Sequence, residues 1–224
     1  MGVRDSARAG TAVPLRLLLA SSNPGKLREY RELAGSSALA LGLIPNFPEL
    51  PPFDESAPTF AENAAGKALH YSRFTAEMVL ADDSGLVVPA LAGAPGVRSA
   101  RYAGPDAADA DCVRKLLREM EGREGNERRA RFVCVIVIAR QGRVLAVVSD
   151  FVEGLLAKSP RGTNGFGYDP VFLCRELGRT FAELSSEEKN SLSHRAKAFR
   201  KLRNLLAATN SVKLSSPGQH PNSL

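Results

Sequence analysis

Asp82 and Asp83 stand side by side in "MVLADDSGLVV", an apolar run from Met78 to Val88 that two acids, a serine and a glycine interrupt. Two carboxylates at a strand end cost desolvation and repel each other unless a cation or a donor offsets them. Asp-Asp-Ser-Gly is good turn chemistry, with Asp capping its own backbone. It is also a donor set for a hard divalent ion, since carboxylates without imidazole or thiolate partners favour Mg²⁺ over zinc. Local residues leave both readings open, a turn and a metal site.

Three further segments concentrate groups suited to a phosphorylated ligand. "SSNPGK", Ser21 to Lys26, joins a strand to a helix N-terminus. Ser21, Ser22, Asn23, Pro24, Gly25 and Lys26 supply hydroxyls, backbone N–H groups and one cation, a natural phosphate cradle. The spacing is too short for a Walker A motif, and a plain helix start with a surface lysine accounts for it as well. "TFAENAAGK" carries Glu62 and Lys67. Thr59 and Glu62 make a Thr-x-x-Glu capping box, which explains Glu62; Lys67 reads as a solvated lysine or a ligand. In "GTNGFGYDP", Phe166 and Tyr168 can stack on a base and Asp169 can accept a base N–H, or they can pack a core and turn the chain before Pro170. In "EEKNSLSHRAKAFRK", His194 and Arg195 open the last helix as binding groups or as ordinary exposed residues.

The elements that must position these groups alternate. "LRLLLASS" reads as a strand, and "NPGKLREYRELAG" as a helix capped by Asn23, with Pro24 at its first position and Gly35 at its end. "LALGLI" is a second strand and the proline-rich "PNFPELPPFDESAP" a loop before a helix that starts at Thr59. "MVLA" is a third strand, expected to break at the acids. "PDAADADCVRKLLREMEG" is an amphipathic helix with acids early and bases late, matching the helix dipole. Its Asp109 and Asp111 lack the glycine and closing glutamate of a calcium loop. "RARFVCVIVIAR" and "RVLAVVSDFVEG" flank Gln141-Gly142, a two-residue hairpin turn. A short strand at "PVFL" and a helix from Ser193 to Ala208 complete an α/β fold with a mixed sheet.

Composition narrows the classes. With 44% apolar and 24% charged residues in 224, the chain is globular and large enough for a substantial core. Three cysteines, widely spaced and outside any Cys-x-x-Cys pattern, indicate a reducing compartment with neither a disulfide framework nor a zinc site. No apolar run approaches a membrane span, and Arg16 interrupts the short N-terminal apolar segment, so residues 1–15 are expected to be a flexible extension rather than a signal peptide. The tail 209–224 has little to bury and is expected to be disordered. A net charge of +6 suggests an anionic partner. Neither "REGNERRAR" nor the last helix interleaves aromatic with basic residues as a single-strand binder would.

In combination and order, "SSNPGK-RE", "TFAENAAGKA", "ADDSGL", "GAPGVRSARYAG", "GTNGFGYDPVF" and "EEKNSLSHRAKA" resemble the inosine triphosphate pyrophosphatase family, from about Leu17 to Leu206. The resemblance implies an elongated α/β fold of two lobes with the active cleft between them, covering 16–208, and a cytoplasmic homodimer. It implies Mg²⁺-dependent hydrolysis of nonstandard purine nucleoside triphosphates (ITP, dITP, XTP) to the monophosphate and pyrophosphate, with no nucleic acid or membrane as partner. Asp83 then matches a metal ligand and general base, with Asp82 supporting it and Ser84 touching substrate. Glu55 matches an acidic metal ligand, although "SAP" replaces the usual Thr-Gly before "TF". Ser21 to Lys26 match the triphosphate loop, Lys67 and Lys189 further phosphate-facing cations. Phe166, Gly167, Tyr168, Asp169, His194 and Arg195 match the base-binding groups. Asn164 replaces a family glycine, and its tolerance of positive φ is expected to preserve the loop. Two alternatives compete: a related pyrophosphatase acting on other bases, and a basic nucleic-acid-binding module without catalysis.

Overall fold

The computed structural model describes residues 15–35 and 39–214, with side chains to residue 209. The expected N-terminal extension, apart from Leu15, and residues 215–224 of the expected tail lie outside the described residues.

Among the described residues seven strands form one sheet: β1 (Leu15–Leu19), β2 (Leu39–Leu43), β3 (Met78–Val87), β4 (Arg129–Arg140), β5 (Arg143–Leu156), β6 (Phe172–Cys174) and β7 (Arg179–Thr180), in the order β2-β1-β3-β4-β5-β6-β7. β1 runs parallel to β2 and β3, and every pairing from β3 onward is antiparallel. This is the mixed α/β sheet the sequence implies. Among the described residues five α-helices accompany it: α1 (Pro24–Ala34), α2 (Phe60–Tyr71), α3 (Asp109–Glu119), α4 (Ser186–Leu192) and α5 (His194–Leu214).

Side chains alternate across a strand, and both faces of the sheet centre are covered. Leu17, Leu19, Leu80, Cys134 and Ile136 pack with Tyr30 of α1 and Ala198, Phe199 and Leu202 of α5. On the reverse face Leu18, Val79, Ala81, Val135 and Val137 pack with Ala64, Ala68 and Tyr71 of α2. The β4–β5 hairpin overhangs this sandwich. Its far end joins Leu86, Phe132, Val152 and Leu156 to Val113 and Leu116 of α3 and to Phe172 and Phe181, making a separate core for a second lobe. Gln141 and Gly142 turn the hairpin with φ of 49° and 73°, the left-handed pair that matches strand twist.

Two expectations change. The acids do not break the third strand: β3 continues through Asp82 and Asp83 to Val87, paired residue by residue with β4. Turn chemistry at Asp-Asp-Ser-Gly is overridden because partners from elsewhere in the chain compensate both carboxylates. The last helix ends at Leu214 rather than Ala208.

Candidate functional site

The pleat of β3 sends Asp82 and Asp83 to opposite faces of the sheet. Asp82 is fully buried on the α1–α5 side. Lys26 Nζ lies 3.1 Å from its Oδ1 and also donates to its main-chain carbonyl at 3.3 Å. Arg195 Nε donates to Oδ2 at 3.4 Å, and Arg195 Nη2 donates to Ser84 Oγ at 2.8 Å. Burial alone would raise this carboxyl's pKa, but Lys26 and Arg195 outweigh it and hold it well below the carboxylate range. The support expected of Asp82 therefore takes the form of a buried counter-ion, turned away from Asp83.

Asp83 faces the α2 side. Its Oδ1 accepts from Ser84 N at 2.9 Å and its Oδ2 from Asn63 Nδ2 at 3.0 Å. Burial raises its pKa, Lys26 and Lys67 pull against that, and Glu55 adds to the rise. Glu55 comes from the proline-rich loop: Lys67 Nζ donates to its Oε1 at 2.9 Å, and Arg101 donates to its main-chain oxygen. Lys67 is buried rather than solvated. Asp83 and Glu55 thus offer hard oxygen donors in one cavity. Among the described residues no three His, Cys, Asp or Glu side chains gather as a metal cluster. A cation held by these two acids would fill its shell with water and phosphate oxygens, which suits Mg²⁺.

Behind Lys189 and Arg195, which line the cavity, lies Glu29, a buried acid of α1. Its carboxylate accepts from Lys189 Nζ at 2.6 Å and from Arg195 Nη1. Burial would raise its pKa, but the two cations together lower it. Lys189, expected to face phosphate, has its ammonium between Glu29 and Asp169 and 5.2 Å from the Phe166 ring centroid. Phe166 also underlies Arg195, at 5.5 Å, and rests on the helix start: a Cβ on Gly25 would meet its ring at 2.5 Å. Gly25 is therefore required for close approach of the two loops.

The base-loop residues are fastened from several sides. Asp169 Oδ2 accepts from Phe166 N at 2.8 Å, Asp109 Oδ2 from Gly167 N at 2.7 Å, and Tyr168 donates to Ser99 O at 2.9 Å. Asn164 does not adopt positive φ; Gly162 and Gly165 do, and Asn164 instead donates from Nδ2 to Leu184 O at 2.9 Å. The loop's shape comes from flanking glycines and that side-chain bond. His194 stacks on Phe132 with centroids 4.7 Å apart, and its Nδ1 is buried without a hydrogen-bond partner. Burial, with Arg195 and Lys189 nearby, holds its pKa well below the usual value, so the imidazole is neutral.

One cavity of about 390 Å³ brings these groups together, a volume typical of small-ligand sites. Ser21, Ser22, Asn23, Lys26, Glu55, Lys67, Asp83, Ser84, Phe166, Gly167, Tyr168, Asp169, Lys189, His194 and Arg195 all line it, between the α2 core and the second lobe. Pro24 and Gly25 stand behind it, opening α1 and backing Phe166. Sequence reasoning missed Glu29, Asn63, Arg101 and Phe132. Asn63, Arg101 and Glu29 lie inside quoted motifs, but nothing local shows Glu29's role, because both its partners come from the last helices.

The Ham1 family model matches residues 17–205. A dITP/XTP pyrophosphatase of Geobacillus kaustophilus is 50% identical over 186 residues, 83% of this chain and 91% of the relative. A dITP/XTP pyrophosphatase of Bacillus licheniformis is 46% identical over 85% of this chain and 97% of the relative. A solved HAM1 protein from Coxiella burnetii superposes with a TM-score of 0.78 at 41% identity, covering 87% of this chain and 99% of the other. With a cavity built from the very segments that match, the chain belongs to the Ham1 family.

Proposed function

We propose that this chain is an Mg²⁺-dependent hydrolase that converts ITP, dITP and XTP to the monophosphate and pyrophosphate, keeping deaminated purines out of DNA and RNA. The observation that carries this reading is one cavity lined both by Lys26, Lys67, Asp83 and Glu55 and by Phe166, His194 and Arg195. A polyanion suits the first set and a flat base with polar edges the second. The names of the relatives, dITP/XTP pyrophosphatases, supply the base class.

Ser21, Ser22 and Asn23, with the N–H groups opening α1, cradle phosphate oxygens, and Lys26 and Lys67 neutralise them. Asp83 takes the proton of a water attacking the α-phosphate, and pyrophosphate leaves. When bound at Asp83 and Glu55, Mg²⁺ supplies further positive charge against the phosphate oxygens. Phe166 and Tyr168 hold the base, and Asp169 accepts a base N–H. Hypoxanthine and xanthine carry an oxygen acceptor at C6, where adenine has an amino donor. A donor from Arg195 aimed there meets the former and is left unpaired by adenine, a mismatch able to discriminate on the order of 10⁴-fold.

The catalytic unit is proposed to span 16–208, a reading supported by the match over 17–205. A homodimer is proposed because β5 leaves Leu145, Val147 and Phe151 exposed on one face. A cytoplasmic location accords with three free, buried cysteines, and among the described residues no helix is long and apolar enough to cross a membrane. Neither a nucleic acid nor a membrane is proposed as a partner.

Pyrophosphate release from ITP, dITP, XTP, ATP, GTP, dTTP and UTP, with and without Mg²⁺, tests the reading. Fast Mg²⁺-dependent release from the first three alone is expected. Comparable release from dTTP or UTP overturns the base class, and no release from any of them overturns the enzyme.

A further inference from the structure

Asn63 is fully buried on α2, and one side chain there meets two separate parts of the site. Its Oδ1 accepts from Ala57 N at 2.9 Å, while Nδ2 donates to Ala57 O at 3.3 Å and to Asp83 Oδ2 at 3.0 Å. The orientation of the amide is fixed by these partners. Only Oδ1 can meet the Ala57 N–H, so Nδ2 is left for the two acceptors, one hydrogen for each. Asn63 therefore grips the backbone two residues beyond Glu55 with one end and the Asp83 carboxylate with the other.

Other ties hold the same loop. Phe53 N donates to Tyr71 Oη at 3.3 Å, Lys67 pairs with Glu55, and Arg101 donates to Glu55 O. None of these three bonds links the loop to the Asp83 carboxylate. With Ser84 N on Oδ1 and Asn63 on Oδ2, the Asp83 carboxylate is held at both oxygens, and each keeps lone-pair capacity for another ligand.

We propose that Asn63 is a positioning residue that sets Asp83 and Glu55 in register so that both can address one divalent cation. The proposal rests on reading those two acids as the cation's ligands. Outer partners that orient ligating carboxylates change metal affinity about 10- to 100-fold when removed. A merely structural Asn63 would satisfy the Ala57 backbone and affect only folding.

The test is Mn²⁺ binding to the nucleotide-free full chain, measured by EPR of the free ion, for native protein, Asn63→Ala and Asp83→Asn. In parallel, the Mg²⁺ midpoint for pyrophosphate release is read at saturating ITP. Asn63→Ala should weaken Mn²⁺ binding by about 10- to 100-fold and raise the Mg²⁺ midpoint in proportion. The KM for ITP at saturating Mg²⁺ should stay nearly constant, since the cradle is untouched. A lowered melting temperature with unchanged Mn²⁺ affinity overturns the proposal. If Asp83→Asn loses Mn²⁺ binding while Asn63→Ala keeps it, only this inference fails; if Asp83→Asn retains both binding and turnover, the reading of the site fails and takes the inference with it. Should Asn63→Ala not fold, the Asn63 side-chain amide of the native chain is followed by ¹⁵N NMR during Mg²⁺ titration. A saturable shift is expected as the cation draws charge from Asp83, and an unmoved signal overturns the proposal.

Discussion

Asp82 and Asp83 are neighbours in the chain and lie on opposite faces of β3, one paired with Lys26 and Arg195, the other bonded to Asn63 and open to the cavity. Substitution at the two positions should therefore read different properties. Asp82→Asn leaves the buried Arg195 and the part-buried Lys26 undercompensated and should cost about 3–5 kcal/mol of stability by chemical denaturation. Asp83→Asn is isosteric and should keep the melting temperature close to native. It should lower ITP turnover by about 10²- to 10⁴-fold, the usual weight of a general base. Full turnover in Asp83→Asn would remove that residue from the chemistry and place the general base elsewhere in the cavity.

Arg195 carries the selectivity prediction. Asp82, Ser84 and Glu29 take donors from each nitrogen of its guanidinium, which fixes the plane of the group and leaves one Nη1 N–H as the donor proposed to meet a base. Arg195→Ala should narrow the ratio of kcat/KM for ITP over ATP, measured on protein shown to be folded at the assay temperature. An unchanged ratio would transfer discrimination to other groups lining the cavity, such as His194 or Asp169.

Much of this was legible in the sequence where short-range physics decides. Asn23 caps α1, accepting from Lys26 N at 3.0 Å, and Thr59 caps α2, accepting from Glu62 N at 3.2 Å. Gln141-Gly142 turns the hairpin as its residue types require. The start of β3 was read at Met78–Ala81, but its continuation through the acids was illegible because the carboxylates are made tolerable by residues far along the chain, which no local pattern reports. Glu29 was illegible for the same reason: Lys189 is 160 positions away. In Asn164 the residue was noticed but its device misjudged, since a side-chain bond to Leu184 rather than positive φ keeps the loop.

His194 makes a pH prediction. Burial, with Arg195 and Lys189 beside it, depresses its folded pKa well below the ordinary 6.5. Above pH 6.5 both folded and unfolded chains hold it neutral, so its contribution is complete there. As the pH falls below that value the unfolded chain takes up a proton and the folded chain does not, so stability drops by at most about 1.4 kcal/mol per pH unit. His194→Gln should flatten this loss. Denaturation midpoints of native and variant protein should converge as the pH falls from 7 to 5, and parallel curves would show that His194 does not stay neutral in the fold.

The exposed face of β5 makes the last prediction. Leu145 and Val147 are each 54% exposed and Phe151 47%, spaced by the two-residue strand period on the side away from α5. Arg131 and Glu153 stand beside Phe151 on that face: Arg131 pairs with Glu153 at 3.4 Å and lies over the Phe151 ring. An apolar centre with charge at its edge is the anatomy of a protein interface. A second copy of the chain is the proposed occupant. Leu145→Glu with Val147→Glu would bury charge in that interface without touching the cavity, and should convert a dimer to a monomer in sedimentation equilibrium. Because both side chains are more than half exposed and neither belongs to a core, the monomer should keep its fold by circular dichroism. Native protein that sediments as a monomer at assay concentrations would overturn the dimer and leave this face unexplained.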